Sequence, residues 1–214
     1  MLSVDIFVLD TTAITEARIR AVLGLQSVED VVRYIIPLLR DARIKAGARF
    51  YMTPTTWNEL RRSLVGNNVP LDLIQDLATW ITVKAPDKLS LKIPAAIFSE
   101  YVADVRRRLY KGLRVAEYAA RRAARDCVGA ENECLNNIIR DVRDKYREAT
   151  RKGLVDSIED LDTILLALEL KATVVASDEG ITKLAQQLGV IHIDPTDFIQ
   201  ALTRIVKAFT QETK

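Results

Sequence analysis

Short runs of β-branched and aromatic residues alternate along most of the chain with longer segments in which apolar positions recur at helical spacing. Strands are predicted at 5–9, 49–53, 81–83, 173–177 and 190–193. Helices are predicted at 27–46, from 54 through Glu59, at 70–80, 158–170 and 181–188, and from 196 to 209. Because this alternation is typical of a central parallel sheet flanked by helices, the sequence predicts an α/β fold.

The segment from Pro94 to about Lys152 has a different pattern. It is helical throughout, rich in Arg, Ala and Glu, and broken mainly around Gly129. It is less apolar than a buried helix should be, and arginines lie on most of its faces. We therefore predict a helical hairpin, 94–152, that projects into solvent and is inserted between the two parts of the α/β domain, 1–93 and 153–214.

Composition excludes several classes of protein. The chain has 214 residues, nearly half of them apolar, which is enough for a sizeable core without cross-links. Its two cysteines, Cys127 and Cys134, have no zinc-binding spacing and accompany a single histidine, so we expect neither a disulfide scaffold nor a structural zinc site. The first residues have no secretion signature, and no apolar stretch reaches membrane-spanning length. We expect a cytoplasmic protein with no membrane partner.

Charge is balanced overall but not locally. The formal net charge of +2 says little about partners. In the predicted hairpin, however, one stretch of twenty residues carries eight basic side chains against one acid, Glu117. These are Arg106, Arg107, Arg108, Lys111, Arg114, Arg121, Arg122 and Arg125. Such a surface favours phosphate contacts that position a folded RNA without reading its sequence, although a solvated helix face is the alternative.

Acidic residues follow the predicted strands. Asp10 comes directly after the first strand, Asp178 directly after the fourth, and Glu59 lies in the helix that follows the second. Parallel-sheet proteins bind ligands at the carboxyl ends of their strands, so these side chains are expected to converge. Asp10 and Asp178 are harder to explain as helix caps than Asp156 or Asp160, each of which taken alone could be a cap. The alternative for Glu59 is a first-turn acid that interacts with the helix dipole.

Asp156 and Asp160 are four positions apart, so a helix beginning near them presents both carboxylates on one face. Carboxylates this close repel one another unless their pKa values rise or a hard cation such as Mg²⁺ or Mn²⁺ binds them. Thr11, Thr12 and Ser177, which adjoin the strand-end acids, could hydrogen-bond a metal-bound water or a phosphate, or could be local caps.

Three motifs carry a family resemblance: FVLDTT near the start, WNEL after the second strand, and DLDTILLALELKATVVASDEG near the end. Together they resemble the PIN-domain nucleases. The Arg-rich hairpin, the DSIED segment and the SDEG sequence are more specifically similar to the minimal protein-only ribonuclease P family known as HARP. The resemblance implies a PIN-like fold and a ribonuclease that removes the 5′ leader of precursor tRNA without an RNA subunit.

The resemblance also implies site residues and partners. The positions that match the family's catalytic and metal-binding acids are Asp10, Asp156, Asp160 and Asp178. Glu59 and Asp162 are further candidates, but Asp160 and Asp162 cannot share a helix face, so the DLD motif offers alternatives. The metal would be Mg²⁺ or Mn²⁺, and the projecting helices would bind precursor tRNA. A large homo-oligomer is implied, and the apolar helices 27–46 and 196–209 could pack against a second subunit.

Metal-assisted hydrolysis is the chemistry that this residue set supports. The single histidine, His192, lies in a predicted buried strand and is expected to be structural, so histidine-based acid/base catalysis has no candidate. A metal-bound water would attack the scissile phosphate and leave 5′-phosphate and 3′-hydroxyl ends. Tyr101, Tyr110 and Tyr118 could stack on unpaired bases, although we expect them to pack between the two hairpin helices.

Two other functions are compatible with a PIN-like fold. A toxin-like PIN nuclease would cut other RNAs, but small toxins of this fold have no extended basic insertion. A non-catalytic PIN scaffold would bind RNA without cleaving it, but the acids of the motifs are intact in this chain. We therefore expect an enzyme that processes the 5′ end of tRNA.

Overall fold

The computed structural model describes residues 5–129, 132–151 and 157–211. The chain divides into two compact units, 1–91 together with 157–214, and 92–156. The division predicted from composition falls at 93/94 and 152/153. In the described ranges, no helix is long and apolar enough to cross a membrane.

The first unit contains a parallel five-stranded sheet, which confirms the predicted fold class. Its strands are β1 (Ile6–Leu9), β2 (Arg49–Met52), β3 (Ile81–Val83), β4 (Thr173–Val175) and β5 (His192–Ile193). They lie in the order β3-β2-β1-β4-β5. Because every neighbouring pair is parallel, the carboxyl ends of all five strands meet at one edge of the sheet.

Helices of the first unit connect these strands. They are α1 (Thr12–Thr15), α2 (Ala17–Leu23), α3 (Val28–Ala46), α4 (Pro54–Gly66), α5 (Leu71–Trp80), α8 (Ile158–Leu170), α9 (Glu179–Leu188) and α10 (Pro195–Gln211). The predicted helix at 158–170 has the observed bounds. The short helices α1 and α2 were not predicted, because four to seven residues are too few to show a clear helical period.

Both faces of the central strand are buried. Successive strand residues point to opposite faces, and Phe7, Val8 and Leu9 are all at most 6% exposed. Phe7 packs against Phe50 of β2 and Phe198 of α10, with ring centroids 5.7 and 5.2 Å apart. Helices therefore cover both faces of the sheet and leave its carboxyl edge as the place where polar side chains collect.

Helix α3 shows how local sequence sets an element. The Ser27 hydroxyl accepts a hydrogen bond from the Asp30 N–H at 3.0 Å, and the Asp30 carboxylate accepts one from the Ser27 N–H at 2.9 Å. Gly47 ends the helix with a φ of +73°. The apolar face of α3 packs against α10 within the chain, so the expectation that these two helices offer their apolar faces to a second subunit is wrong.

The second unit is an antiparallel pair of helices, α6 (Ala95–Asp126) and α7 (Asn132–Arg151). A disulfide joins Cys127 and Cys134 at the turn between them. The expectation of no disulfide is therefore wrong, because folding back of the chain brings together two cysteines whose spacing matched no known framework. The cysteines consequently give no support to a cytoplasmic location.

Close packing of α6 on α7 depends on Gly112. A Cβ atom there would lie 2.6 Å from Tyr146 Cε2 and 3.0 Å from Thr150 Cγ2. We predict that Gly112→Ala lowers the free energy of unfolding of the helical pair by about 1–2 kcal/mol through overpacking, although Ala is the better helix former. Urea denaturation followed by circular dichroism measures the change.

Gly66→Ala, in the last residue of α4, is the matched control. A Cβ atom there meets nothing within 4 Å, so this substitution should leave stability unchanged or raise it. In a Tyr146→Ala background the penalty of Gly112→Ala should fall, because only the looser contact with Thr150 Cγ2 is left. An equal penalty with and without the Tyr146 ring would show that the close contact is not its cause.

Candidate active site

Asp10 lies at the carboxyl end of β1, the middle strand of the sheet. Its N–H donates to the carbonyl of Val175, the last residue of β4, at 2.9 Å. Asp10 is buried, and its Oδ2 accepts hydrogen bonds from the Thr12 N–H at 3.1 Å and the Thr12 hydroxyl at 2.7 Å. That hydroxyl accepts from the Ser177 N–H at 3.1 Å. Thr12 thus joins the ends of the two central strands and orients the Asp10 carboxylate.

Asp178 is the N-cap of α9. Its Oδ1 accepts hydrogen bonds from the N–H groups of Gly180 at 2.7 Å and Ile181 at 3.0 Å, and the residue is exposed. The strand-end position predicted for this acid is therefore present, and the cap, which was not expected for it, is present as well. A cap fixes the direction of a carboxylate without removing its charge, so capping is compatible with metal binding.

Glu59 and Asp160 line one open groove of about 900 Å³ between α4 and the start of α8. Glu59 is exposed on α4, and Asp160 is partly buried in the first turn of α8. The Ser157 hydroxyl caps this turn by accepting from the Asp160 N–H at 3.0 Å. Glu159 also lines the groove and was not singled out from the sequence. We call this cavity the acid groove.

A chain of threonine hydroxyls joins the start of α4 to the first turn of α8. Thr163 Oγ1 donates to the Glu159 carbonyl at 3.0 Å. Because a hydroxyl has one proton, Thr163 must accept from Thr56 at 3.2 Å, and Thr56 must accept from Thr53 at 2.8 Å. By the same reasoning Thr53 accepts from Thr55 at 3.0 Å. All of these hydrogen bonds therefore run in one direction, from the start of α4 to α8. They hold the two walls of the acid groove in place relative to each other.

We predict that Thr56→Val lowers the free energy of unfolding by about 1–3 kcal/mol, because it leaves the buried hydroxyls of Thr53 and Thr163 without their central partner. Thr79→Val is the control, since the Thr79 hydroxyl lies exposed on α5 and bonds only the Gln75 carbonyl of its own helix. That change should stay within about 0.5 kcal/mol. Equal losses in urea denaturation would contradict a special role for the chain.

Asp162, the alternative to Asp160, has a different partner. Its Oδ1 is buried and lies 2.6 Å from Lys88 Nζ, without an aligned hydrogen bond from any described residue. Two turns further along α8, Glu169 lies 2.5 Å from Lys84 Nζ, and this ammonium holds the pKa of that carboxyl below its usual value. Both pairs attach the segment after β3 to α8, so Asp162 has a structural role.

The predicted metal cluster is not assembled among the described residues. Asp156 lies outside them, and within 5–129, 132–151 and 157–211 no three His, Cys, Asp or Glu side chains are grouped closely enough to hold a metal ion. The structure links the acids in pairs instead. Asp10 is connected to the Asp178 segment through hydrogen bonds at the strand ends, whereas Glu59 and Asp160 share the acid groove.

Two acids that sequence analysis did not consider also lie near this edge. Glu16 caps α2, and Asp194 follows β5; Arg18 lies 2.8 Å from Asp194 and 3.4 Å from Glu16. A hydrogen bond from Ser177 holds the pKa of Glu16 below its usual value. Burial raises the pKa of Asp194, but hydrogen bonds, including that from Arg18, outweigh it and lower the pKa. Asp194 could have been found from the sequence, because it follows a predicted strand directly, as Asp10 does. Glu16 follows no strand, and only the folding of the chain brings it to this edge of the sheet.

His192 has structural partners. Its Nε2 lies 2.8 Å from the Ala176 carbonyl and 3.2 Å from the Thr182 hydroxyl. The residue is partly exposed, not fully buried as the strand pattern suggested. These contacts tie β5 to the segment after β4 and agree with the structural role expected for His192.

In the second unit, the eight basic residues of the run at 106–125 divide into two groups. Four form ion pairs with Asp104, Asp126 or Asp141, with N–O distances from 2.7 to 3.7 Å: Arg107, Arg108, Arg122 and Arg125. The other four form no ion pair with an acid of 92–129 or 132–151: Arg106, Lys111, Arg114 and Arg121. Half of the basic residues in the run are therefore neutralised by ion pairs, as on an ordinary protein surface. The other half keep a positive charge that no ion pair with a described acid neutralises.

Five of these basic residues and one tyrosine lie along one face of α6. They are Arg107, Lys111, Arg114, Tyr118, Arg121 and Arg125, and all six are exposed. Spacings of four and three residues place them within about 80° of the helix circumference, over a length of about 27 Å. We call these six residues the basic stripe. The expectation of packing between the helices is wrong for Tyr110, which is 63% exposed. Tyr118 is 58% exposed, but its ring does face α7, with Lys145 Nζ 5.8 Å from the ring centroid.

Comparison with known proteins identifies the family. Residues 6–207 match the family model of the PINc domain ribonucleases. The RNA-free ribonuclease P of Hyperthermus butylicus is 44% identical over 214 residues, which cover 94% of this chain and 89% of that protein. That of Ignicoccus hospitalis is 46% identical over 92% of this chain and 93% of its own length. That of Methanocaldococcus jannaschii is 40% identical, with coverages of 94% and 92%.

These matches confirm the resemblance predicted from the FVLDTT, WNEL and SDEG motifs. They extend across both units, and no large part of either the chain or these relatives is left unmatched. The chain therefore belongs to the PINc domain ribonucleases and, within them, to the family of the RNA-free ribonuclease P proteins.

Proposed function

We propose that this protein is an RNA-free ribonuclease P, an endoribonuclease that removes the 5′ leader of precursor tRNA. The observation that carries the proposal is the extent of its similarity to proteins of that name. The similarity includes the second, helical unit as well as the first unit, which carries the acids. If the chain were a toxin-like PIN nuclease, its similarity to these proteins would be expected to cover the first unit alone. We therefore favour 5′ processing of tRNA over cleavage of other RNAs.

The metal would be Mg²⁺ or Mn²⁺, with Glu59 as an additional ligand to four acids. These acids are Asp10, Asp156, Asp160 and Asp178. The described members fit such an ion by their chemistry, since all supply carboxylate oxygens, which hard cations prefer. The fixed orientation of Asp10 and the N-cap position of Asp178 support the assignment. Asp162 is left out, because Lys88 already neutralises it.

A divalent ion bound by these acids would supply a water of lowered pKa and would neutralise charge on the leaving oxygen. The protein's own residues keep the acids in place. Thr12 holds the Asp10 carboxylate, the N-terminus of α9 holds that of Asp178, and the threonine chain fixes the walls of the acid groove. Groups ordered before the substrate arrives need no reorganisation during the reaction, which lowers its barrier. Hydrolysis would leave a 5′-phosphate on the tRNA and a 3′-hydroxyl on the leader.

We propose that the basic stripe binds the tRNA part of the substrate. Its length of about 27 Å would cover several phosphates along one RNA strand. Most of its cations contact phosphates without reading bases, which suits a substrate recognised by shape. Tyr118, exposed among these cations, could stack on an unpaired base.

We also propose a large homo-oligomer, as the family resemblance implies. The support from structure is an exposed apolar row on the face of α6 opposite the basic stripe. It consists of Phe98, Val102, Leu109 and Leu113, which are 49% to 66% exposed. Exposed apolar rows of this kind mark protein interfaces. Sedimentation velocity of the purified protein measures the assembly state.

The decisive experiment incubates the protein with Mg²⁺ and a 5′-extended precursor tRNA and maps the cut. Asp178→Asn is the matched variant: Asn caps helices as well as Asp does, so α9 should persist while one negative charge is lost. We expect cleavage at the mature 5′ end by the wild type and none by the variant. Cuts elsewhere would favour a toxin-like nuclease, and binding without cleavage would favour a scaffold.

A further inference from the structure

The surface of α4 changes sign beyond the acid groove. After Glu59 the next acid in the sequence is Asp72, and two arginines lie between them, Arg61 and Arg62. Both are exposed. Arg62 lines the acid groove, and both arginines line a second open groove of about 610 Å³. Because the two grooves share Arg62 and Asn58, they form one continuous path that runs from the acids to the arginines.

Neither arginine is neutralised by a neighbour. Arg62 Nε donates to the carbonyl of Asn58 at 3.3 Å, and no acid in the described ranges forms an ion pair with Arg61 or Arg62. Some other exposed arginines of the same unit do have such partners; Arg33, for example, lies 2.6 Å from Glu29. Two adjacent guanidinium groups without an ion pair to a described acid therefore lie beside the acids of the groove.

A polyanion cannot enter the acid groove without nearby cations. Glu59, Glu159 and Asp160 all line it and would repel an RNA phosphate. Arg62 is three residues beyond Glu59, which places it about 4.5 Å further along the helix axis. This is near enough for a guanidinium to hold a phosphate adjacent to one that lies at the acids. Guanidinium groups bind phosphates through two parallel hydrogen bonds, which fixes position as well as charge.

We propose that Arg61 and Arg62 form a binding site for the RNA phosphates that adjoin the scissile phosphate. Arg62 holds the nearer phosphate and Arg61 the next one along the path. This inference rests on the proposed ribonuclease function of the acid groove. It makes α4 bifunctional, with a metal-facing acid in its first half and an RNA-positioning pair in its second.

The test measures the affinity of Arg61→Ala and Arg62→Ala for labelled precursor tRNA over a series of salt concentrations, in EDTA so that no cleavage occurs. Each variant should bind roughly tenfold more weakly and should reduce the slope of log K against log salt by about one. Arg62→Lys should keep the slope and lose part of the affinity, because it retains the charge without the paired hydrogen bonds.

Arg49→Ala is the matched control. Arg49 is exposed at the amino end of β2, the opposite edge of the sheet from the acids, so its removal should change neither affinity nor slope. Wild-type affinity and slope in Arg62→Ala would overturn the inference. Failure of the wild type to cut precursor tRNA in Mg²⁺ would overturn the proposed function instead, and the affinity series would still decide whether the arginines bind RNA phosphates.

Discussion

Replacing Asp10 by Asn is expected to slow cleavage of precursor tRNA by about a thousandfold while the protein stays folded. Asn keeps the size of the side chain and an oxygen that accepts from the Thr12 hydroxyl and N–H, so the link between β1 and β4 should survive. Only the negative charge that would bind metal is lost. Single-turnover cleavage rates in Mg²⁺, with melting temperatures alongside, measure both effects.

Asp5→Asn is the control for this experiment. Asp5 is exposed beside the amino end of β1, so the same chemical change there should leave the rate unaltered. The assay also separates the two acids of the DLD motif. Asp160→Asn should slow cleavage strongly, whereas Asp162→Asn should mainly remove the ion pair with Lys88. A wild-type rate in Asp10→Asn would contradict the assignment of this acid to the metal.

Removing three cations of the basic stripe is expected to weaken precursor tRNA binding by a hundredfold to a thousandfold. The triple variant changes Lys111, Arg114 and Arg121 to Ala; none of the three forms an ion pair with a described acid, and all are exposed. Each lost phosphate contact should lower the slope of log K against log salt by about one. Alanine favours helix, so α6 should persist. Fluorescence anisotropy with labelled RNA measures affinity and slope.

The matched control removes the same number of positive charges, three, from α7 of the same unit. Arg140, Arg143 and Arg147 are exposed there and lie off the stripe. Their replacement by Ala should weaken binding by less than about tenfold, since only the long-range attraction is reduced. Equal losses in both triple variants would show that net charge, and not the arrangement of the stripe, determines binding.

Local sequence predicted the elements well where one strong signal set each boundary. The Ser27–Asp30 capping box and Gly47 mark the ends of α3, and α8 begins after Ser157 as its capping pattern indicates. Caps and turns are interactions among residues that are near in sequence, so a single chain reveals them. Strand ends are local in the same way, which is why Asp10 and Asp178 could be identified as candidates.

Pairing between distant residues could not be predicted in this way. The disulfide of Cys127 with Cys134 depends on the turn that brings α7 back along α6. The ion pair of Arg122 with Asp141 depends on the same turn, because Asp141 lies on α7. The pairs of the basic run with Asp104 and Asp126, by contrast, join residues of α6 that are one to four positions apart. A count of charges along the sequence therefore overstated how much of this surface is free to bind RNA.

The sequence by itself determined the alternation of strands and helices, the acids at the strand ends and the family, because each is encoded in short segments. Tertiary structure alone decided that Asp162 faces Lys88 while Asp160 faces the acid groove, and that Arg61 and Arg62 extend that groove. It also decided that the hydroxyls of Thr53, Thr56 and Thr163 join α4 to α8. The physical reason is that where a side chain points, and which residue it contacts, depends on which helices and strands pack together. That packing is determined by the whole core.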